Sequence, residues 1–262
     1  MCELFGFCSA KSYDLTNWLK EFYSHSPNHP DGWGLATFYG NAVSVEKEPI
    51  CANDSTYLQN RLSVPVVEPL LLAHIRKASV GALEFSNCHP FVKRDEGGRC
   101  WTLIHNGTIF QSEVLEKYVP IQRGSSDSER ILLYIVENID CLEKRLGRAA
   151  SARERFDIID SSIAEVAPGN KVNLMIYDSE QFYVHANMAS SLHYLKLSDG
   201  ILISTKPLSD EPWCEMPLST LMVFRDGVEI FRGEDRHHVY TDPIPEENMQ
   251  SGMTALFDGF GI

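Results

Sequence analysis

The chain opens MCELFGFCSA, with a cysteine in second place. Methionine is normally trimmed when a small residue follows it. Cys2 then carries a thiol and a free α-amine. Such an amine has a reference pKa of about 7.7–8.0 and accepts a proton near neutrality without a separate histidine. A thiol beside its own amine is an activated nucleophile. Position alone is weak ground, since any residue can stand second. Further stretches hold groups that such a nucleophile would use. HIRKAS sets Arg76 after an apolar run, with Ser79 three residues on. Arginine grips a carboxylate with two parallel bonds. HNG joins Asn106 to Gly107. An Asn amide and a backbone N–H at a Gly can converge on one oxyanion. SSDSE puts Asp127 in a first helical turn, where a carboxylate can hold an ammonium. Each stretch has a plainer reading: a surface ion pair, a turn, an acid favoured by the helix dipole. NCHPF (87–91) and PDGWG (30–34) are loops that shape a pocket or, more plainly, pack.

Other chemistries fit less well. Cys88 with His89, and Cys100 with His105, lack the spaced pairs of a structural zinc site. Neither GxxxxGK[ST] nor GxGxxG occurs. No cysteine sits in the local pattern of a papain-like protease. The reading therefore carries no metal and no cofactor: amine, thiol and oxyanion donors are all protein groups.

These residues need elements to hold them. Residues 2–9 read as a strand, and 13–26 as a helix with Leu15, Leu19 and Phe22 at helical spacing. Residues 33–48 read as a hairpin around Gly40-Asn41. Residues 70–76 read as a buried strand, and 89–107 as a hairpin turning at Gly97-Gly98. Two helices follow, 125–139 with a capping box from Ser126 to Glu129, and 151–167 stopped by Pro168-Gly169. Six strand-like runs come next, from 171 to 233. Strands, then helices, then strands make an α+β fold of antiparallel sheets with helices on their outer faces. The strands are too many for one flat sheet, so two stacked sheets are expected.

Composition sets the class. Hydrophobic residues are 44% and charged residues 23%, values of a soluble globular chain. The net charge of −13 disfavours nucleic acid and anionic membranes as partners. No signal peptide and no membrane span is read, which points to the cytoplasm. Seven scattered cysteines, none in CxxC, read there as free thiols. No composition break divides the chain. One domain over residues 2–262 is expected, with about 234–262 as a candidate flexible tail.

Taken in order, Cys2, PDGWG, HIRKAS, NCHPF, HNG and SDSE resemble the class II glutamine amidotransferases, of the N-terminal nucleophile hydrolase superfamily. ISTKPLSDEPWCEMP also looks like the stand-alone members, which lack a synthase domain. The resemblance covers about residues 2–232. It implies a four-layer αββα sandwich. It implies Cys2 as nucleophile, Arg76 with Ser79 holding the glutamine α-carboxylate, Asp127 holding the α-ammonium, and Asn106 with the Gly107 N–H as oxyanion hole. The activity implied is hydrolysis of the γ-amide of glutamine, or of another γ-glutamyl compound, through a Cys2 thioester. Ammonia would pass to a separate synthase subunit, or the amide would simply be hydrolysed, as in a relative of ergothioneine synthesis. One departure stands out: many members carry an Arg-Gly pair after the first helix, and this chain has His29 there with no arginine. Two other readings stay open: a catalytically silent binding or regulatory subunit, and an N-terminal nucleophile acylase for a non-glutamyl amide.

Overall fold

The structure is a computed structural model that describes residues 2–79 and 81–242. Met1, whose removal the nucleophile requires, and residues 243–262 of the expected tail lie outside the described residues. In chain order the elements are β1 (Glu3–Asp14), α1 (Thr16–Ser24), β2 (Trp33–Tyr39), β3 (Ala42–Glu48), α2 (Thr56–Arg61), β4 (Val67–Ile75), β5 (Phe91–Arg94) and β6 (Cys100–Thr108). Then come α3 (Glu113–Glu116), α4 (Asp127–Leu146), α5 (Ala152–Val166), β7 (Lys171–Tyr177) and β8 (Phe182–His185). β9 (His193–Lys196), β10 (Gly200–Ser204), β11 (Cys214–Glu215), β12 (Met222–Arg225) and β13 (Val228–Arg232) complete them.

The strands form two antiparallel sheets. One runs β11-β9-β10-β1-β4-β2-β3 and the other β13-β12-β8-β7-β6-β5. Alternation along each strand serves two cores at once. On β1, Leu4 and Cys8 enter the core between the sheets, where Ile104, Met175 and Phe182 meet them. Phe5 and Phe7 turn outward to Leu15, Leu19, Phe22 and Leu58 of the α1–α2 side. On the far side, Trp101, Leu103, Leu174 and Ile176 pack against Ile131, Ile135, Phe156 and Ile159 of α4 and α5. The order is thus helices, sheet, sheet, helices: the expected four layers. The sheets approach closely at Gly6, where an added Cβ would lie 2.6 Å from Met175 Sδ and 2.7 Å from Phe182 Cζ.

Two local expectations need correction. The helix expected from residue 13 starts at Thr16, because Tyr13 and Asp14 continue β1 and pair with Glu68 and Val67 past an irregularity after Cys8. Ser126 does cap α4, but through the Ser128 N–H, and Glu129 turns away to accept from the N–H groups of Arg123 and Gly124. A reciprocal capping box sits instead on α5, between Ser151 and Glu154. Beyond β13 the chain returns across the sandwich. The Arg236 N–H donates to Ser219 O at 3.0 Å and the Tyr240 N–H to Asn187 O at 2.7 Å.

Candidate active site

β1 lies inside its sheet between β10 and β4, so its first residues are held on both sides. Cys2 stands just ahead of it, half-buried. The Lys77 N–H points at Cys2 Sγ from 3.4 Å, and the thiol reaches Lys77 O at 3.5 Å. Burial pushes the thiol pKa up, while the Lys77 N–H and the Arg76 cation pull it down and Asp127 adds to the rise. Arg76 and Asp127 are therefore near enough to act on the sulfur in opposite directions.

Two cavities meet at Cys2. One, of about 250 Å³, is bordered by Cys2, Lys77, Ser79, Asn106, Gly107, Thr108 and Lys171, with Tyr240 and Asp242 on its rim. The other, of about 320 Å³, is bordered by Cys2, Glu3, His29, Lys77, Asn106 and Lys206 among others. Cys2, Lys77 and Asn106 border both.

The strands explain why polar groups gather here. β6 and β7 pair Ile104 with Met175, then Asn106 with Asn173, then Thr108 with Lys171. Alternate residues share a face. The inward face thus changes from apolar to polar as it nears Cys2. Asn173 Nδ2 donates to Asn106 O at 3.0 Å, fixing the backbone of the HNG stretch. Gly107 has no room for a side chain: an added Cβ would collide with Lys171 O and His105 Nε2. His105 is buried and held neutral by desolvation. Its Nε2 lies 3.2 Å from Lys171 O and its Nδ1 2.9 Å from Ser128 Oγ. A carbonyl only accepts, so the proton belongs on Nε2 and Nδ1 accepts from Ser128. His105 thereby links Gly107 to the first turn of α4. His74 and His89 stack beside it with ring centroids 4.0 Å apart. Burial lowers the pKa of His74 to about 3 and that of His89 well below the ordinary value, so both are neutral.

Arg76 and Asp127 are placed differently from the other expected site residues. Both are buried, at 3% and 4% exposure, and neither borders the two cavities. Arg76 donates to the carbonyls of Gly81 and Ala82, each at 3.2 Å. Asp127 accepts from the Ile109 N–H at 2.7 Å. Each thus grips the backbone just beyond the cavity wall. Ser79 is on the wall, with its hydroxyl 3.2 Å from that of Thr108.

Three residues that sequence reasoning passed over complete the arrangement. Asn87 is fully buried. Its Oδ1 accepts from the N–H groups of Ser125 and Ser126, and its Nδ2 donates to Ala82 O, so it ties the loop after Arg76 to the start of α4. Asp31 accepts from the Ala78 N–H at 2.7 Å and holds the loop on its other side. The NCHPF and PDGWG stretches were the signal for both, with packing as the plainer reading. Lys171 is buried at the cavity wall, its pKa lowered by desolvation against the pull of Asp242 and Cys2. A lysine opening a mostly apolar strand was its only mark.

Among the described residues no group of three or more His, Cys, Asp or Glu side chains is arranged to hold a metal ion. No helix among them is long and apolar enough to cross a membrane.

Comparison with known proteins agrees with this arrangement. The family model of class-II glutamine amidotransferases matches residues 1–198. An uncharacterized protein of Methanocaldococcus jannaschii is 30% identical over 260 residues, which cover 88% of this chain and 71% of that one. Among solved structures, a "predicted glutamine amidotransferase" from Pseudomonas aeruginosa superposes with a TM-score of 0.61 at 20% identity, over 88% of this chain and 100% of that one. The glutamine phosphoribosylpyrophosphate amidotransferase of B. subtilis does so with a TM-score of 0.65 at 17% identity, over 90% of this chain and 49% of that one. At those identities the structures speak for the fold alone, a sandwich of two sheets between helices. The match over residues 1–198 carries the family: this chain belongs to the class-II glutamine amidotransferases.

Proposed function

We propose that this protein, as one glutaminase-type domain over residues 2–262, hydrolyses the γ-amide of glutamine or of another γ-glutamyl amide, with Cys2 as nucleophile once Met1 is removed. The observation that carries the reading is a shared border: one thiol, Cys2, lines both cavities together with Asn106, and Gly107 lines one of them. The α-amine of Cys2 takes the thiol proton, and sulfur attacks the amide carbon. Asn106 and the Gly107 N–H stabilise the resulting oxyanion. The proton passes to the amide nitrogen, the C–N bond breaks and the amine leaves, with a γ-glutamyl thioester remaining on Cys2. Water then adds, the C–S bond breaks, and glutamate leaves with the thiol restored. The substrate's zwitterionic end is assigned to the Ser79 side, where Arg76 and Asp127 stand behind the wall. No cofactor is required. Ammonia released from glutamine would go to a separate synthase subunit. The proposed setting is the cytoplasm, whose reducing poise suits seven free cysteines.

A second reading has one observation in its favour. Arg76 already has loop carbonyls as partners, which suits a silent subunit that keeps the fold. One experiment separates the two. Ammonia and glutamate release are measured on glutamine and on γ-glutamyl amides, with intact mass recorded for the same sample. The enzyme reading expects turnover by Met1-free protein and none by Cys2→Ala. Turnover by protein that retains Met1, or by Cys2→Ala, would sink it.

A further inference from the structure

We propose that the cavity on the Glu3 side of Cys2 is a leaving-group subsite for an amine that carries a carboxylate, so that γ-glutamyl amides of amino acids are the favoured substrates. This rests on the proposed role of Cys2. With the scissile bond at Cys2, which borders both cavities, the two halves of the substrate can lie one in each. Ser79, Gly107 and Thr108 border one side, and the chain next to them is gripped by Arg76 and Asp127. The acyl half belongs there, and the amine half belongs in the other cavity. That cavity measures about 320 Å³. Ammonia is the size of water, which fills about 30 Å³ in the liquid. Ammonia alone would leave most of the space unused.

The charges select among larger amines. Two cations, Lys77 and Lys206, border the cavity, and among the described residues Glu3 is its one bordering acid. Glu3 is 1% exposed and already compensated. It accepts from His25 Nδ1 at 2.7 Å and pairs with Lys206, and His29 Nε2 lies 3.5 Å away. Desolvation keeps His29 toward its neutral form. Its Nδ1 donates to His25 O at 3.0 Å. Glu3 therefore fixes the Lys206 ammonium at the wall. An ammonium has three donors, and the Lys206 side chain is 55% exposed, so it can meet an incoming carboxylate while paired with Glu3. The reaction stays a hydrolysis: the C–N bond breaks, the nitrogen takes the proton, and no redox partner enters.

The test uses Met1-free enzyme and three probes: glutamine, γ-glutamylmethylamide and γ-glutamylglycine. Glutamate release gives kcat/KM for each. γ-Glutamylglycine is expected to exceed the uncharged methylamide by about tenfold or more, as for one charge-assisted hydrogen bond. Lys206→Met is expected to erase most of that ratio, mainly through KM, and Lys206→Arg to keep it. A wild-type ratio near one, or a ratio unmoved by Lys206→Met, overturns the subsite. Turnover of glutamine alone also overturns it and leaves Cys2 as the proposed nucleophile. Turnover of none of the three overturns both.

Discussion

At the scale of single residues, the site depends on which polar atoms are committed. Asn106 borders both cavities beside the thiol. Losing one oxyanion donor typically costs about 2.7–4 kcal/mol of barrier, or about 10²–10³ in kcat. Asn106→Ala is expected to lower kcat by that factor with little change in thermal midpoint, and steady-state kinetics with calorimetry check it. The buried histidines make a different prediction. His74 titrates near pH 3 and His185 near pH 4 in the folded protein, with His89 also lowered, all by desolvation. An unfolded histidine titrates near 6.5. The unfolded chain therefore binds more protons as pH falls below about 6.5, and stability is lost from there down toward the folded values. Each such histidine contributes a slope of about 1.4 kcal/mol per pH unit in that window. Urea unfolding at pH 7, 6 and 5 should show the decline. His89→Leu should flatten it, and should also raise stability at pH 7, because neither ring nitrogen of His89 has a hydrogen-bond partner among the described residues.

At the scale of elements, the decisive joint is that between the loop after β4 and the start of α4. Asn87→Ala would strand the buried N–H groups of Ser125 and Ser126. An unsatisfied buried donor costs about 1–3 kcal/mol. The expected result is a lower melting temperature together with a raised KM, since Arg76 and Asp127 sit at the two ends of that joint. A melting temperature equal to wild type would refute it. The same joint shows what a sequence displays. The long strands and the two long helices were legible because a period of two or of 3.6 runs through enough residues. The six-residue α2, four-residue α3 and two-residue β11 were not, because one turn or one edge pair holds no period. Cys2, Asn106 and Gly107 were singled out by their order along the chain, and all three border one cavity. Asn87, Asp31 and Lys171 were not, because their meaning lies in partners brought from distant positions, such as Asp31 Oδ2 on the Ala78 N–H.

At the scale of the whole molecule, β1 is twelve residues long and is paired with β10 and β4 through Phe5, Gly6, Phe7 and Cys8. Its inward face packs on the opposite sheet and its outward face on α1. Such a strand opens only when everything opens. Amide protons of Phe5 to Cys8 should therefore exchange with solvent deuterium only through global unfolding, and their protection should fall with urea at the slope of the global transition. Lys77 to Ser79 and Gly81 to Ala82 are held by a few side-chain bonds and should exchange far sooner. Peptide-resolved mass measurements report both rates, and equal rates would contradict this. The consequence expected is a division of labour in time: the wall on the Ser79 side opens far more often than the strand that carries the sulfur.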